Sequence, residues 1–344
     1  MTQKKRTEIA ELGEFGLINH LTKDFTTSNK NTLRGVGDDA AVIKAGRDDA
    51  MVVTTDSLLE GVDFDLTYFP LKHLGYKAVT VGVSDVLAMN AMPEQVMISL
   101  GVSSKLPVEA LEDLYEGIKF ACDEMGIDMV GGDTTASMTG LVINITTIGR
   151  AKRKAISYRS GAQFNDLICI TGNLGAAYMG LHLLEREKRV LRDVQNPEPQ
   201  FAGYEYLLQS YLKPRARKDI VEALAAEGIV PTSMIDLSDG LASEVLQICK
   251  ASKCGARIYL ERIPIAKQTS ALAEEMHIDP VVAALNGGND YELMFTVPLA
   301  MQEQIMSMGM VDIIGHITRE STGAYLVTPD GSDIKLRAQG FKEE

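Results

Sequence analysis

The chain opens with apolar residues at helical spacing, Ile9, Leu12, Phe15, Leu17, Ile18 and Leu21, which predict an amphipathic helix over about residues 8–22. A polar run from Thr26 to Thr32 follows and reads as a loop. Short β-type runs come next at Ala41–Ile43 and Met51–Thr55. Apolar steps of three and four then predict a long helix over about 72–90. A strand at Gln95–Leu100, a helix from Pro107 to about Met125 and an alternating strand over Leu141–Ile148 complete this half. Residues 151–165 are rich in Lys, Arg, Ser and Gly, so two domains are expected, 1–152 and 153–344. In the second, strands at Leu167–Ile170, Arg257–Leu260 and Glu292–Val297 alternate with helices over about 173–186, 217–227 and 240–252. The stretch 187–203, with Pro197 and Pro199, reads as a surface loop. Strands interleaved with helices predict an α/β or α+β architecture with helices layered on sheets.

One of these elements carries a charge where the pattern calls for an apolar residue. The stripe Leu71, Leu74, Ala78, Val81, Ala88 and Met89 runs straight through Asp85. A carboxylate on a core-facing stripe needs a partner, because an isolated buried one is strongly disfavoured. A salt bridge would account for one such residue, but Asp85 has company. Asp38 and Asp39 follow Gly37 and precede a strand, and Asp56 ends the run Met51–Thr55. Asp133 follows Gly131-Gly132, and Asp236 and Asp239 sit where a strand passes into a helix. Each alone reads as a turn or helix cap. One shared site is the more economical account, and converging carboxylates require divalent cations between them. With Thr54, Thr55 and Ser238 hydroxyls nearby, the donor set is all oxygen, which suits Mg²⁺ or Mn²⁺.

Composition narrows the chemistry. The 344 residues are 45% hydrophobic and 24% charged, ordinary values for a globular protein. The net charge of −13 argues against a nucleic-acid partner and means that phosphate substrates would be held through cations. No run reaches the length needed to cross a membrane, and the N-terminus lacks a signal-peptide pattern, so a cytoplasmic location is expected. The four cysteines form no CxxC pair and read as ordinary thiols. No GxxxxGK[ST] loop is present, which excludes a Walker-type kinase, and the protein-kinase motifs are absent too. Metal-dependent phosphoryl transfer on another fold remains.

Gly37-Asp-Asp-Ala-Ala, Thr54-Thr-Asp-Ser-Leu-Leu-Glu-Gly-Val, Ser84-Asp-Val-Leu-Ala-Met, Gly131-Gly-Asp-Thr, Asp236-Leu-Ser-Asp-Gly and Gly287-Gly-Asn-Asp-Tyr-Glu-Leu occur in that order, with Gly340-Phe341 near the end. Together they resemble the successive motifs of the thiamine-monophosphate kinases, relatives of aminoimidazole ribonucleotide synthetase and selenophosphate synthetase. The resemblance implies two domains, the first with a sheet forming a barrel across a homodimer, the second an α+β sandwich. It implies ATP-dependent phosphorylation of thiamine monophosphate to thiamine diphosphate, using several Mg²⁺ ions. Magnesium ligands would be Asp38, Thr54, Thr55, Asp56, Asp85, Asp133, Asp236 and Asp239. ATP would meet Tyr115, Gly132, Asp133, Arg159 and Ser238, and thiamine monophosphate would meet Asp63, Asn289 and Phe341. No covalent nucleophile is expected. At two positions the chain departs from the family's usual residues: Asp63 stands where His is usual, and Asn289 where Glu is usual. Alternatives are another ATP-using enzyme of the same superfamily, or a non-catalytic nucleotide- or metal-binding homologue.

Overall fold

The computed structural model describes residues 8–192 and 198–338. The first helix, α1, spans Gly13–Thr22. It is followed by a six-stranded sheet built from β1 (Thr32–Arg34), β2 (Ala41–Lys44), β3 (Asp49–Leu59), β4 (Met92–Val102), β5 (Asp128–Ala136) and β6 (Val142–Lys152). The spatial order is β1-β2-β3-β6-β4-β5, antiparallel except for the parallel β4–β5 pair. Helices α2 (Leu71–Ala88) and α3 (Val108–Met125) cover one face. The second half forms a seven-stranded sheet from β7 (Leu167–Thr171), β8 (Ser233–Asp236), β9 (Cys254–Tyr259), β10 (Leu293–Val297), β11 (Val311–Arg319), β12 (Ala324–Val327) and β13 (Asp333–Lys335). Its order is β13-β12-β9-β11-β7-β10-β8. Helices α4 (Ala176–Leu191), α5 (Glu205–Leu212), α6 (Lys218–Ala226) and α7 (Leu241–Ser252) come from this half.

Strand β3 shows why the sheet has two unlike faces. Ala50, Val52, Thr54 and Leu58 are buried on one side, whereas Thr55, Ser57 and Leu59 are exposed on the other. Successive side chains of a strand point to opposite faces, so this alternation fixes which residues look toward α2. Helix α2 is the centre of the molecule. Fourteen of its residues are buried, and it touches β3, β4, β6, α3 and also β8 of the second sheet. Such close packing needs small residues at the crossing. A Cβ on Gly75 would lie 2.0 Å from the Leu114 carbonyl oxygen, and one on Gly117 would lie 1.9 Å from that of Lys72. The two glycines therefore let α2 and α3 approach backbone to backbone.

Several elements differ from the sequence expectation. Residues 187–191 continue α4 rather than starting a loop, because Leu183, Leu184 and Glu187 share its buried side. Residues 128–136 form strand β5 rather than a turn. Gly131-Gly132 hides that strand in the sequence, yet a Cβ on Gly132 would lie 1.9 Å from the Ile98 carbonyl oxygen, so the pairing itself demands glycine there. Strand β5 is an edge, and nearly all of it is exposed, including Met129 and Val130. No helix among the described residues is long and apolar enough to cross a membrane.

Candidate active site

The inward face of β3, the last turns of α2 and the end of β8 meet at one point. Carboxylate oxygens of Asp39, Asp85 and Asp236 lie within 4.8 Å of one another. Asp39 comes from the turn after Gly37, Asp85 from α2 and Asp236 from the C-terminal end of β8, so both sheets contribute. Neighbouring hydroxyls aim the carboxylates. Thr54 Oγ1 donates to Asp85 Oδ2 at 2.5 Å, and Ser84 Oγ donates to Asp236 Oδ2 at 2.7 Å. Arg159, on the connection between the sheets, reaches Asp39 Oδ1 through Nε at 3.1 Å and Gln247 Oε1 of α7 at 2.7 Å.

Two of the carboxylate oxygens, Asp39 Oδ2 and Asp56 Oδ2, are buried and make no hydrogen bond. Orphaned acceptors of this kind are costly unless something cationic meets them. Hard oxygen donors from several carboxylates, with hydroxyls beside them, fit Mg²⁺. The cluster floors a cavity of about 740 Å³, whose walls include Asp38, Asp63, Arg159, Ser238, Asp239 and Asn289. A larger hollow of about 860 Å³, bordered by Tyr68, Glu185, Lys188 and Phe201, has no unpartnered buried polar atom on its lining among the described residues.

Burial and mutual repulsion raise the acidities' set-points here. Burial, with the Asp39 charge adding, pushes the Asp56 carboxyl up to about 6. Asp236 is pushed up to about 7, by burial first and then by Asp39, against the opposing Ser84 hydrogen bond. Asp85 stands well above its ordinary value through burial and then Asp56 and Asp236. Folding thus favours the protonated forms, so the stability these groups contribute is fully present below their unfolded value and is lost as pH rises through about 6 and 7. In chelator-treated protein the denaturation midpoint is expected to be higher at about pH 5 than at about pH 7.5. A midpoint that climbs over that interval would contradict this account of the cluster.

The structure divides the residues singled out in the sequence. Thr54, Asp56, Asp85 and Asp236 converge at the floor, and Asp239 opens onto the same cavity. Asp38 lines the cavity with both oxygens engaged, one by the Arg159 backbone N–H at 2.9 Å and the other by Arg34 Nε at 3.0 Å. It is Asp39, its neighbour, that joins the cluster. Thr55 and Asp133 lie elsewhere. The register Thr55–Thr146–Met97–Gly131 puts Thr55 on the open face of the sheet, and Asp133, two residues after Gly131, shares that face. Gly132 is on β5 and Tyr115 on α3, 37% exposed, and neither lines the cavity.

Asp63 and Asn289 do line it. Asp63 Oδ2 accepts the Leu59 N–H at 2.8 Å, and Tyr291 Oη donates to Asn289 Oδ1 at 3.2 Å. Asn289 has φ of 61°, a left-handed conformation that Asn tolerates better than other non-glycine residues. Phe341 lies outside the described residues. Sequence reasoning passed over Glu14, Phe15, Ile18 and Asn19 of α1, which form a wall of the cavity, and Lys250 of α7. It also passed over Glu244, whose Oε1 accepts the Asp239 N–H at 2.8 Å. The helical stripe of α1 was visible, but nothing in it showed that the stripe faces a cavity rather than a core.

A two-sheet fold with a carboxylate cluster shared between its halves defines a class. Residues 37–151 match the AIR synthase related protein N-terminal domain, and 165–327 match the AIR synthase related protein C-terminal domain. The thiamine-monophosphate kinase of Buchnera aphidicola subsp. Schizaphis graminum is 34% identical over 340 residues, covering 96% of this chain and 98% of that one. The thiamine-monophosphate kinase of Aquifex aeolicus is 32% identical over 335 residues, covering 97% and 99%. The solved structure of AaThiL complexed with AMPPCP and TMP superposes with a TM-score of 0.81 at 31% identity, covering 96% of this chain and 97% of that one. The chain belongs to the thiamine-monophosphate kinase family and is a kinase.

Proposed function

We propose that the protein transfers the γ-phosphate of ATP to thiamine monophosphate, giving thiamine diphosphate and ADP, with Mg²⁺ held by the carboxylate cluster. The observation that carries this reading is the set of buried, unpartnered carboxylate oxygens at a cavity floor shared by both sheets. The family's complex with AMPPCP and TMP supports the choice of substrates. An oxygen of the acceptor phosphate attacks the γ-phosphorus in line as the bond to the β–γ bridging oxygen breaks. A phosphate monoester is already largely ionised at neutral pH, so no general base is needed.

Asp39, Asp56, Asp85 and Asp236 would hold the metal, with Asp38 and Asp239 beside them. Thr54 and Ser84 keep two of these carboxylates aimed inward. Bound Mg²⁺ would supply charge neutralisation between two anions that otherwise repel. Arg159 and Ser238 line the cavity where a triphosphate would lie, and a guanidinium pairs readily with phosphate oxygens. Asp63 and Asn289 are the acceptor-side residues.

The remaining nucleotide candidates, Tyr115, Gly132 and Asp133, and the ligand candidate Thr55, belong to the open side of the first sheet and its β5 edge. That separation supports a homodimer in which a second copy pairs along exposed β5, bringing these residues into use. Incubation with ATP, Mg²⁺ and thiamine monophosphate is expected to yield thiamine diphosphate by chromatography, and EDTA is expected to abolish it. ATP consumption without thiamine diphosphate would reject this acceptor.

A further inference from the structure

Helix α7 ends beside two thiols. Lys253, with φ of 52°, closes the helix in the left-handed conformation, and its N–H donates to the Cys249 carbonyl oxygen. A cap of this form folds the chain back, so that the residue after it packs against the one whose carbonyl the cap holds. Those two residues are Cys254 and Cys249, and their side chains share a hydrogen bond. Cys249 is buried, whereas Cys254, the first residue of β9, is half-buried. The hydrogen bond holds the Cys254 thiol below its ordinary value, against the opposing effect of burial. The more accessible sulfur is therefore also the readier thiolate. The other two cysteines, Cys122 on α3 and Cys169 on β7, are buried.

The same helix end holds the segment that carries Arg159. Ser252 Oγ donates to the Arg159 carbonyl oxygen at 3.0 Å and accepts the N–H groups of Gly161 at 3.0 Å and Ala162 at 3.1 Å. Gln247, on the same helix, holds the guanidinium itself at 2.7 Å. We propose that Cys249 and Cys254 form a thiol–disulfide exchange site for a small-molecule disulfide, whose closure shifts Ser252 and with it Arg159. The Cys254 thiolate attacks one sulfur of the oxidant, expelling one thiolate and leaving a mixed disulfide. Cys249 then attacks the Cys254 sulfur, gives its proton to solvent and expels the second thiolate. Two protein thiols lose two electrons, and the oxidant gains both. Drawing the sulfurs from hydrogen-bond contact into a covalent bond tightens the turn at Lys253, next to Ser252. The effect on Arg159 rests on the proposed function, which places ATP against it; the bond itself does not.

The full chain incubated with oxidised glutathione tests both parts. Intact mass should fall by about 2 Da, reversibly with dithiothreitol, and tryptic mapping should link Cys249 to Cys254. Cys249→Ser should instead keep a glutathione adduct on Cys254, because no neighbouring thiol resolves it, and Cys254→Ser should show neither product. Calorimetry with Mg²⁺ should give ATP binding about tenfold weaker in the bridged protein, restored by dithiothreitol, and unchanged by the oxidant in Cys254→Ser. No mass change, or a lasting adduct on Cys254 of the wild type, would overturn the exchange site. A bridge that leaves ATP affinity unchanged would overturn the link to Arg159. Reduced wild type that binds ATP yet makes no thiamine diphosphate would reject the proposed function alone.

Discussion

Asp56→Asn is expected to lower turnover of thiamine monophosphate by roughly a thousandfold while the metal-free protein melts at the same or a higher temperature. The two effects have one origin. Asp56 Oδ2 is buried without a hydrogen-bond partner, and the carboxyl is pushed up to about 6 by burial and by Asp39. An amide at this position removes a repelling charge and adds a donor that neighbouring carboxylates can accept, so the empty site relaxes. The same amide is a poor magnesium ligand, and the charge it removes is the one needed when two phosphates approach each other. Kinetics and thermal melts with and without Mg²⁺ check both halves. Near wild-type turnover would remove Asp56 from the metal set, and a large loss of stability would mean that the residue serves the core instead.

The second large effect concerns Lys77, one turn before Val81 on α2. Its side chain is 1% exposed and its Nζ has no hydrogen-bond partner. The ammonium sits 4.1 Å from the centre of the Tyr211 ring and 5.6 Å from that of Phe69. Burial pushes it down to about 7, with Asp63 partly opposing. Aromatic faces return part of the lost hydration, but less than desolvation removes. Lys77→Met is therefore expected to raise the unfolding free energy at neutral pH by about 1–4 kcal/mol. The sign with pH follows from the lowered value. Between about 7 and the unfolded lysine value the unfolded chain holds more protons, so wild-type stability from this group rises with pH. The advantage of Lys77→Met should thus shrink on going from about pH 7 to about pH 9.5 in denaturant titrations. A less stable variant at pH 7 would show that the lysine is compensated by contacts the structure does not give it.

Residue by residue, what could be read from the sequence depended on whether a local rule sets the geometry. Asp85 was legible because helical periodicity alone places it on an inward stripe, and it lies at the floor. The class of the fold followed from alternating strand and helix patterns for the same reason. Thr54, Thr55 and Asp56 look like one group in the chain, yet the two-residue period of β3 sends Thr55 to the opposite face. Asp38 and Asp39 were not separable, since the turn after Gly37, with φ of 113°, decides which side chain points inward. Strand β5 was obscured by its own glycines. Lys77 was invisible because a helix buried on nearly every side has no polar face to which a charge can be assigned. The wall made by α1 depends on tertiary placement that no periodicity encodes.

The placement of Arg159, Ser84 and Asp236 has a mechanical consequence. Arg159 ties the turn at Asp39 to Gln247 of α7, and Ser84 of α2 holds Asp236 of β8, so the groups that form the floor join the two halves of the chain alongside the apolar core they share. Without cations, carboxylates from opposite halves repel across that seam. A cation held there, as proposed, would act as a rivet between the halves. Such loading would do more than prepare the site for phosphate: it would add to the cooperativity with which two halves that already share an apolar core unfold.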